Sequence, residues 1–499
     1  MVLSKKRYAL ASLALGSILL LAGCNDTLRQ FITPVPKPGG DPSTLANAVV
    51  LSQNPAGNGS ALHIDVSGDS ISGLVTAGPN PVFFGKSGNR IYILNNDNTV
   101  TTYNGLIPLQ GQPSIVTQPV AASGAISGSG SSVGNFYLAN QPTGNSSMIA
   151  PSGGTGLFAV TTLVPVGAGP VAIAGNSSNS KIYVVNHDSN TVTVISTTDN
   201  TIIGTIDLAN VVAPLKPGVN PIWGVMSSDG VHVFIVNQGD GTAGHTGSVS
   251  VIDTFLDQII TTVDVGQNPA TSSPNYAVFD PTLQRLYVSN TGENTVSVID
   301  ASRIDLAAVP QLLPKLLANI LVSGKPTSLA SLADGTRVYA ALGNCPAGTN
   351  QTNLVQTPTS ATPPNLPSCT GNLVSVINAN SLRETKTIQV GAGAVSIDAA
   401  PDSSRVYVVS ALDTTTISDN VNTPAQPNRV FSTPSVSVIT TTTDEVFRPA
   451  SDPSIIGPVP TFHAPQQDPN CVPAIDPTFN NKVPLPCPLQ NAFLVRTLP

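Results

Sequence analysis

The stretch that decides the fold is KIYVVNHDSNTVTVIS, residues 181–196. Two runs rich in β-branched residues flank the polar segment HDSN, and the second run alternates apolar and polar side chains. This pattern predicts two strands joined by a turn. Closely similar text returns at 285–300, RLYVSNTGENTVSVID. The repetition indicates a building unit of the fold, so the adjacent His187 and Asp188 are expected to form a turn and not a catalytic pair.

The same unit recurs along most of the chain. Its marker is an aromatic residue in the first of the two runs, repeated at intervals of roughly 45 to 70 residues. Seven residues hold this position: Tyr92, Tyr137, Tyr183, Phe234, Tyr287, Tyr339 and Tyr407. Repeats of about this length with four short strands each are typical of β-propeller blades.

One repeat shows the order of the four strands. PVAIAG (170–175) predicts an inner strand, 181–196 supplies the second and third, and TIIGTIDL (201–208) supplies the fourth. The junctions between repeats carry Gly and Pro, as in GAGP at 167–170. Glycine permits positive φ, and proline needs no donor at the start of a strand.

The number of blades depends on the two ends of the chain. Seven complete units run from about 81 to 450, and the segments 47–53, 60–67 and 71–78 predict the second, third and fourth strands of a further blade. The C-terminal NAFLVRTL (491–498) can supply the missing inner strand, which would leave the ring without free edges. We therefore predict an all-β propeller of seven or eight four-stranded blades, with eight favoured.

The repeats resemble a known family. YVVN, FIVN and YVSN are followed by NTVTVIS, SVSVID or NTVSVID and then by a VG-x-x-P junction, which is similar to the YVTN family of β-propeller repeats. The resemblance covers roughly residues 46–450. It implies the propeller fold and a place among bacterial and archaeal surface proteins.

The N-terminus has the pattern of an export signal. Lys5, Lys6 and Arg7 precede the apolar segment Tyr8–Leu21, which is shorter than the roughly 20 residues of a transmembrane helix. The segment ends in LAGC, which resembles the lipobox of bacterial lipoproteins. This resemblance implies cleavage before Cys24 and lipidation of its thiol.

The predicted organisation has three parts. Residues 1–23 form the signal peptide, 24–45 a lipidated cysteine with a Pro/Gly-rich tether, and 46–499 a single propeller with insertions. The residue after the lipidated cysteine is Asn25. In Gram-negative bacteria an aspartate there often retains a lipoprotein at the inner membrane, so we expect a lipid anchor in the cell envelope, at the outer membrane in preference to the inner, on its periplasmic or surface side.

Four further cysteines lie in two Pro-rich insertions: Cys345, Cys369, Cys471 and Cys487. An even number in an oxidising compartment indicates disulfides. Four cysteines allow three pairings. We favour the local pairing within each insertion, since each bridge would close one loop and reduce the entropy of the unfolded chain.

Composition argues against several functions. Charged residues make up 10% of the chain and the formal net charge is −7, without basic patches, so nucleic acid is not an expected partner. The five histidines are scattered and no CxxC is present, so the sequence predicts no metal site and no cofactor.

The most informative segments are those that interrupt the repeat. Insertions at 343–371 and 411–434, with a smaller one at Gly239–Gly247, all fall between second and third strands and so should emerge on one face. A C-terminal insertion occupies 451–490. Ser302–Leu321 has apolar residues at helical spacing and falls on the other face. Long loops on a rigid scaffold are where binding usually resides.

Chemistry is sparse in the predicted inner strands. Trp223, Asp280 and Asp398 are the candidate ligand contacts, and no catalytic residue stands out. The sequence favours a cell-envelope module that binds a protein, glycan or small molecule through loops on one face, and it favours a non-enzyme. The alternative is a lactonase-like hydrolase with a site at the central channel mouth, because lactonases of similar propeller fold exist.

Overall fold

The structure is a computed structural model, and the chain divides into the units Met1–Pro38 and Gly39–Pro499. Every described residue lies in the second unit. The described ranges are 47–53, 58–66, 70–105, 116–119, 124–131, 134–151, 158–176, 178–302, 304–343, 371–411, 414–417, 429–432, 435–446, 459–460, 462–463, 487–488 and 492–498.

The second unit is a β-propeller of eight antiparallel blades. In chain order, blade 1 contains β1 (Asn47–Ser52), β2 (Asn58–Asp65) and β3 (Ser70–Pro79); blade 2 contains β4 (Pro81–Ser87), β5 (Arg90–Asn95), β6 (Thr99–Asn104) and β7 (Val116–Pro119); blade 3 contains β8 (Ala125–Gly130), β9 (Phe136–Asn140), β10 (Asn145–Pro151) and β11 (Phe158–Pro165); blade 4 contains β12 (Pro170–Ala174), β13 (Lys181–Asn186), β14 (Thr191–Ser196) and β15 (Ile202–Asp207).

The second half of the ring repeats this order. Blade 5 contains β16 (Pro221–Met226), β17 (His232–Asn237), β18 (Ser248–Asp253) and β19 (Gln258–Asp264); blade 6 contains β20 (Pro274–Asp280), β21 (Arg285–Asn290), β22 (Thr295–Asp300) and β23 (Lys315–Leu321); blade 7 contains β24 (Pro326–Ser331), β25 (Arg337–Leu342), β26 (Leu373–Asn378) and β27 (Arg383–Gln389); blade 8 contains β28 (Ala394–Ala399), β29 (Arg405–Ser410), β32 (Ser435–Thr440), β33 (Glu445–Val446) and β34 (Val459–Pro460).

The remaining strands belong to insertions or close the ring. A hairpin of β30 (Thr414–Ile417) and β31 (Arg429–Ser432) lies between β29 and β32, and a second pair joins β35 (Phe462–His463) to β36 (Cys487–Pro488). The last strand, β37 (Ala492–Leu498), pairs with β1 and becomes the inner strand of blade 1. The predicted count of eight and the predicted closure are both confirmed.

The interior of each blade follows from its strand composition. The second and third strands are covered on both faces by neighbouring blades, which explains their near-continuous Val and Ile content. In blade 4, β13 and β14 are almost fully buried, whereas β15 at the outer edge is largely exposed. Recurrent buried asparagines bond to third-strand hydroxyls, as Asn186 does to Thr191 and Thr193 at 3.1 and 3.0 Å.

The two faces of the ring carry different connections. The junction face carries the blade-to-blade junctions and the loops between second and third strands, which bond to each other, as Gln238 N does to Asn220 O at 2.9 Å. The opposite face carries the turns between first and second and between third and fourth strands, linked for example by Thr254 N to Val231 O at 2.9 Å.

The segment Ser302–Leu321 has apolar residues at helical spacing but forms β structure. Lys315–Leu321 is the strand β23, the fourth of blade 6, and Asp305 pairs with Leu312 in a short bridge. The strand pairs with β22, and this pairing supplies hydrogen-bond partners for its backbone. A helix interrupted by prolines would leave some of these backbone groups without partners. Tertiary pairing therefore overrides the local pattern.

A latch joins several neighbouring blades on the opposite face. The marker tyrosine of one blade donates its hydroxyl to an Asx residue with positive φ in the next blade's turn, as Tyr183 does to Asp257 and Tyr339 does to Asp444, at 2.7 and 2.6 Å. In these two cases a basic residue two positions before the tyrosine also contacts the carboxylate, Lys181 at 2.7 Å from Asp257 and Arg337 at 2.8 Å from Asp444.

The latch is incomplete between blades 6 and 7. Leu382 stands where the described turns of blades 4, 5 and 8 have Asn or Asp, at a φ of 53°, and Tyr287 Oη has no hydrogen-bond acceptor in the described chain. Left-handed φ is costly for leucine. Leu382→Asp should place a carboxylate between Tyr287 and Arg285 and raise the free energy of unfolding by about 1–2 kcal/mol.

Chemical denaturation would measure this gain, with Leu382→Ala as the matched control, since alanine removes the same side chain and supplies no acceptor. Equal unfolding midpoints for the aspartate and alanine variants would show that the latch adds nothing at this junction.

Candidate functional site

In each blade one inner-strand residue pairs with the marker position of the second strand. These equivalent residues form a ring around the central channel. Most are small or apolar, and two on adjacent blades are charged. In ring order they are Arg496, Gly85, Ser129, Ala174, Val225, Val278, Ala330 and Asp398. The chemistry of the channel is therefore concentrated where blade 8 meets blade 1.

Arg496 reaches across the channel. Its Nη1 donates to Tyr276 Oη at 3.3 Å, although Arg496 belongs to blade 1 and Tyr276 to blade 6. Tyr276 packs on Trp223 of blade 5 with ring centroids 4.9 Å apart, and Trp223 Nε1 donates to Ala277 O at 3.2 Å. Non-adjacent blades can share contacts only through the axis. Lys86, Trp223, Tyr276, Asp398 and Arg496 are called the channel girdle below.

Asp398 fastens the closing strand to its neighbour. Its Oδ2 accepts hydrogen bonds from Thr497 N at 2.7 Å and from Thr497 Oγ1 at 3.2 Å. Thr497 Oγ1 also donates to Ala399 O at 2.6 Å, and Val495 N donates to Ser396 Oγ at 3.2 Å. The carboxylate therefore joins blade 8 to blade 1 at the point where the two ends of the chain meet.

The electrostatics of the girdle combine opposite effects. Burial raises the pKa of Asp398, and the nearby Arg496 and the Thr497 donors oppose that rise. Burial lowers the pKa of Lys86, against the attraction of Asp398. Arg496 keeps its positive charge because the pKa of its guanidinium is raised. Two cations and one engaged carboxylate suit the binding of an anion better than proton transfer, since both Asp398 oxygens already accept backbone donors.

The sequence candidates lie in different places. Trp223 and Asp398 belong to the girdle. Asp280 lies at the end of β20, where its Oδ1 accepts from Thr282 N and Leu283 N at 2.8 and 3.1 Å. Burial raises the pKa of Asp280. The equivalent hairpin of blade 7 also has an Asx turn, at Asp334 with Thr336, although two positions later, so Asp280 has a structural explanation in its hairpin.

Sequence reading missed three members of the girdle: Lys86, Tyr276 and Arg496. Arg496 was hidden because its strand is supplied by the far end of the chain and lacks the YVTN-like context. The signal that could have found it was the alignment of NAFLVRTL with the other inner strands, which places an arginine beside Asp398.

His187 and Asp188 form an exposed pair, with 2.7 Å between Nδ1 and Oδ1. Their backbone nitrogens donate to junction carbonyls, His187 N to Gly169 O at 2.8 Å and Asp188 N to Ala168 O at 3.1 Å. Gly169 has a φ of 63°, and a Cβ there would lie 2.4 Å from the Asp188 carboxylate. The pair is thus the turn that the repeat predicts.

The loop Gly239–Gly247 on the junction face is organised by Asp240. Its Oδ1 accepts from Thr242 N and Thr242 Oγ1, and its Oδ2 lies 2.9 Å from His245 Nδ1. These hydrogen bonds lower the pKa of Asp240 to about 2. The hairpin of β30 and β31 leaves blade 8 at the equivalent position. Enlarged connections of blades 5 and 8 therefore share the junction face.

A buried histidine lies outside the channel, between blades 1 and 2. His63 is 2% exposed, its Nε2 lies 2.7 Å from Tyr103 Oη, and the two rings meet edge to face. Burial lowers the pKa of His63 to about 4. The imidazole is therefore neutral at pH 7 and serves the packing of the two blades.

This burial predicts acid sensitivity. The pKa of His63 is about 6.5 in the unfolded chain and about 4 in the folded chain. Between these two values the imidazole is protonated in the unfolded chain and neutral in the folded chain. The free energy of unfolding therefore falls as the pH falls through this window. The loss should reach about 3 kcal/mol at pH 4. Urea unfolding at pH 7 and pH 4 would measure it, and His63→Gln should flatten the dependence by a similar amount; an unchanged slope would contradict the assignment.

Several sequence predictions fall outside the described residues. Cys24, Cys345, Cys369 and Cys471 are among these, and of Cys487 only the backbone in β36 is described. The signal peptide, the tether and most of the insertions at 343–371 and 451–490 also lie outside. Lipidation and cysteine pairing stay predictions.

Within the described ranges, no three His, Cys, Asp or Glu side chains come together as ligands for a metal ion. No helix in the described part of the chain has the length and apolar character to cross a membrane.

Comparison with known proteins identifies the fold. No family model matches the sequence, and no curated protein matches it. Among solved structures, dihydro-heme d1 dehydrogenase NirN is similar at a TM-score of 0.55 and 12% identity, with 82% of this chain and 73% of that chain covered. Likeness at this identity supports the β-propeller fold alone.

Two further structures are similar at lower scores. Kuenenia stuttgartiensis hydrazine synthase has a TM-score of 0.46 and 15% identity, covering 66% of this chain and 92% of that chain. A functionally unknown protein from Desulfotomaculum acetoxidans has a TM-score of 0.46 and 14% identity, covering 68% of this chain and 94% of that chain.

Proposed function

We propose that this chain is a lipid-anchored cell-envelope binding module of YVTN-like repeats that engages its partner through the junction face. The observation that carries the proposal is the location of the enlarged loops. Gly239–Gly247 of blade 5, the β30–β31 hairpin of blade 8 and the 343–371 insertion of blade 7 all connect second to third strands. Such connections emerge on one face of a propeller.

The chemistry of the channel favours binding over hydrolysis. The girdle offers one carboxylate, Asp398, and its oxygens are occupied by Thr497 and Ala399 donors. A hydrolase needs a base free to reach a water or a substrate. Rigid blades with variable loops instead match the usual division between scaffold and recognition surface.

A loop exchange tests the proposal. Replacing residues 238–247 with HDSN, the turn of blade 4, should preserve the β17–β18 ladder and remove the blade 5 part of the junction face. We expect at least tenfold weaker capture of envelope partners by the purified chain, measured by affinity enrichment and then by titration of the enriched partner. The matched control exchanges an opposite-face turn, Thr197–Asn200, for the turn at 441–444.

Equal capture by both exchanged chains would argue against the junction face as the recognition surface. The anchor has a separate test, in which a radioactive fatty acid should label the wild type and leave Cys24→Ser unlabelled. Equal labelling of the two chains would remove the lipid anchor from the proposal and leave the binding face standing.

A further inference from the structure

We propose that the opposite face of blades 5 and 6 rests on a lipid bilayer through an apolar set of loop tips, Val231, Phe255, Leu256, Val309 and Leu312. The junction face then points away from the membrane. The inference rests on the lipid anchor of the proposed function for its choice of partner, while its test below does not use the anchor.

The tips are unusually exposed for apolar side chains. Val309 is 99% exposed and Phe255 88%, and the other three range from 42% to 47%. Val309 and Phe255 are the two most exposed large apolar side chains of the described residues, and both lie on the opposite face with the other three tips. Several such side chains on one face of adjacent blades mark an interaction surface, because scattered single residues are the ordinary pattern.

The polar groups at these tips are already satisfied by the protein. Asp253 Oδ1 accepts from Phe255 N and Leu256 N, both at 2.9 Å, and Thr254 N donates to Val231 O. Asp305 and Leu312 exchange two backbone hydrogen bonds at 2.9 and 3.0 Å. Loop tips whose backbone N–H groups are already hydrogen-bonded within the protein can enter the headgroup region without leaving unpaired donors in an apolar phase.

The partner follows from where the described body begins. Asn47 starts β1 opposite Leu498, the last residue of the inner strand β37, and so lies on the same face as the tips. Blade 1 stands across the ring from blade 5. Cys24 precedes Asn47 by 23 positions, a span of up to about 75 Å. The chain therefore enters the propeller on the face that carries the apolar tips, within reach of the bilayer that would hold a lipid on Cys24.

Charge selects the kind of bilayer to test. The formal net charge is −7, so an anionic surface would repel the chain, and attraction has to come from apolar contact. Neutral phosphatidylcholine vesicles are therefore the suitable probe.

The experiment uses the mature chain from residue 24 with Cys24→Ser, so that neither lipid nor signal peptide contributes to binding. Vesicle flotation measures its partition coefficient. We expect Phe255→Ser with Val309→Ser to lower the coefficient at least about tenfold. The matched control is Val212→Ser with Leu321→Ser, two apolar residues that are 83% and 65% exposed near the junction face, and it should leave the coefficient unchanged.

Absence of vesicle binding by the parent chain would overturn the proposal, as would an equal loss in the control pair, which would indicate unspecific adsorption. Thermal unfolding of each chain checks that the folded ring is retained. Because every chain in this experiment carries Cys24→Ser and so has no covalent lipid, a failure of Cys24 labelling and a failure of vesicle binding are separate results.

Discussion

A chain that ends at residue 490 is expected to lose the folded ring. It would lack β37, whose Ala492, Phe493, Leu494 and Val495 are at most 3% exposed. β1 would lose its ladder with β37, and Asp398 and Ser396 of β28 would lose their hydrogen bonds to that strand. An unpaired apolar edge in the channel wall is a template for aggregation. We expect little soluble protein and loss of cooperative unfolding.

Soluble yield, gel filtration and circular dichroism measure this outcome, with a chain that ends at Leu498 as the control. A synthetic peptide covering 489–499 should restore cooperative unfolding to the truncated chain by adding the missing strand. A truncated chain that unfolds cooperatively without peptide would show that seven blades suffice.

Asp398→Ala is expected to cost about 3 kcal/mol in the free energy of unfolding. Burial raises the pKa of Asp398, so the charged carboxylate itself is not the main source of this stability. The cost comes from the groups left behind, because Thr497 N and Oγ1 lose their acceptor and Arg496 loses its counter-charge. Removing one member of a buried polar set leaves the others unsatisfied.

A double-mutant cycle separates these contributions. Asp398→Asn keeps an acceptor for Thr497, and adding Arg496→Met removes the uncompensated cation, so the double variant should recover most of the stability. Additive losses in the cycle would show that Asp398 and Arg496 do not interact through the channel. Denaturant midpoints at neutral pH provide the measurement.

The sequence predicted the repeated unit well because its information is local. The alternation in TVTVIS, the Gly/Pro junctions and the regular marker aromatics each report on strand and turn formation within one blade. The closure of blade 1 by 491–498 was also predicted, because three orphan strands at one end required a fourth from the other. Ser302–Leu321 was predicted as a loop insertion between third and fourth strands, and its last part, Lys315–Leu321, is instead the fourth strand, because it pairs with β22.

The candidate site divides in the same way. Trp223 and Asp398 were found because such residue types are unusual in the inner strands. Tyr276, Lys86 and Arg496 lie far apart in the sequence, in blades 6, 2 and 1, and no local pattern connects them. The sequence by itself determined the blade, the order of its strands and the places where loops interrupt it, because these depend on residues close together in the chain. The tertiary structure alone decided which side chains meet in the channel and which face carries the apolar tips, because a closed ring brings together residues from blades far apart in sequence.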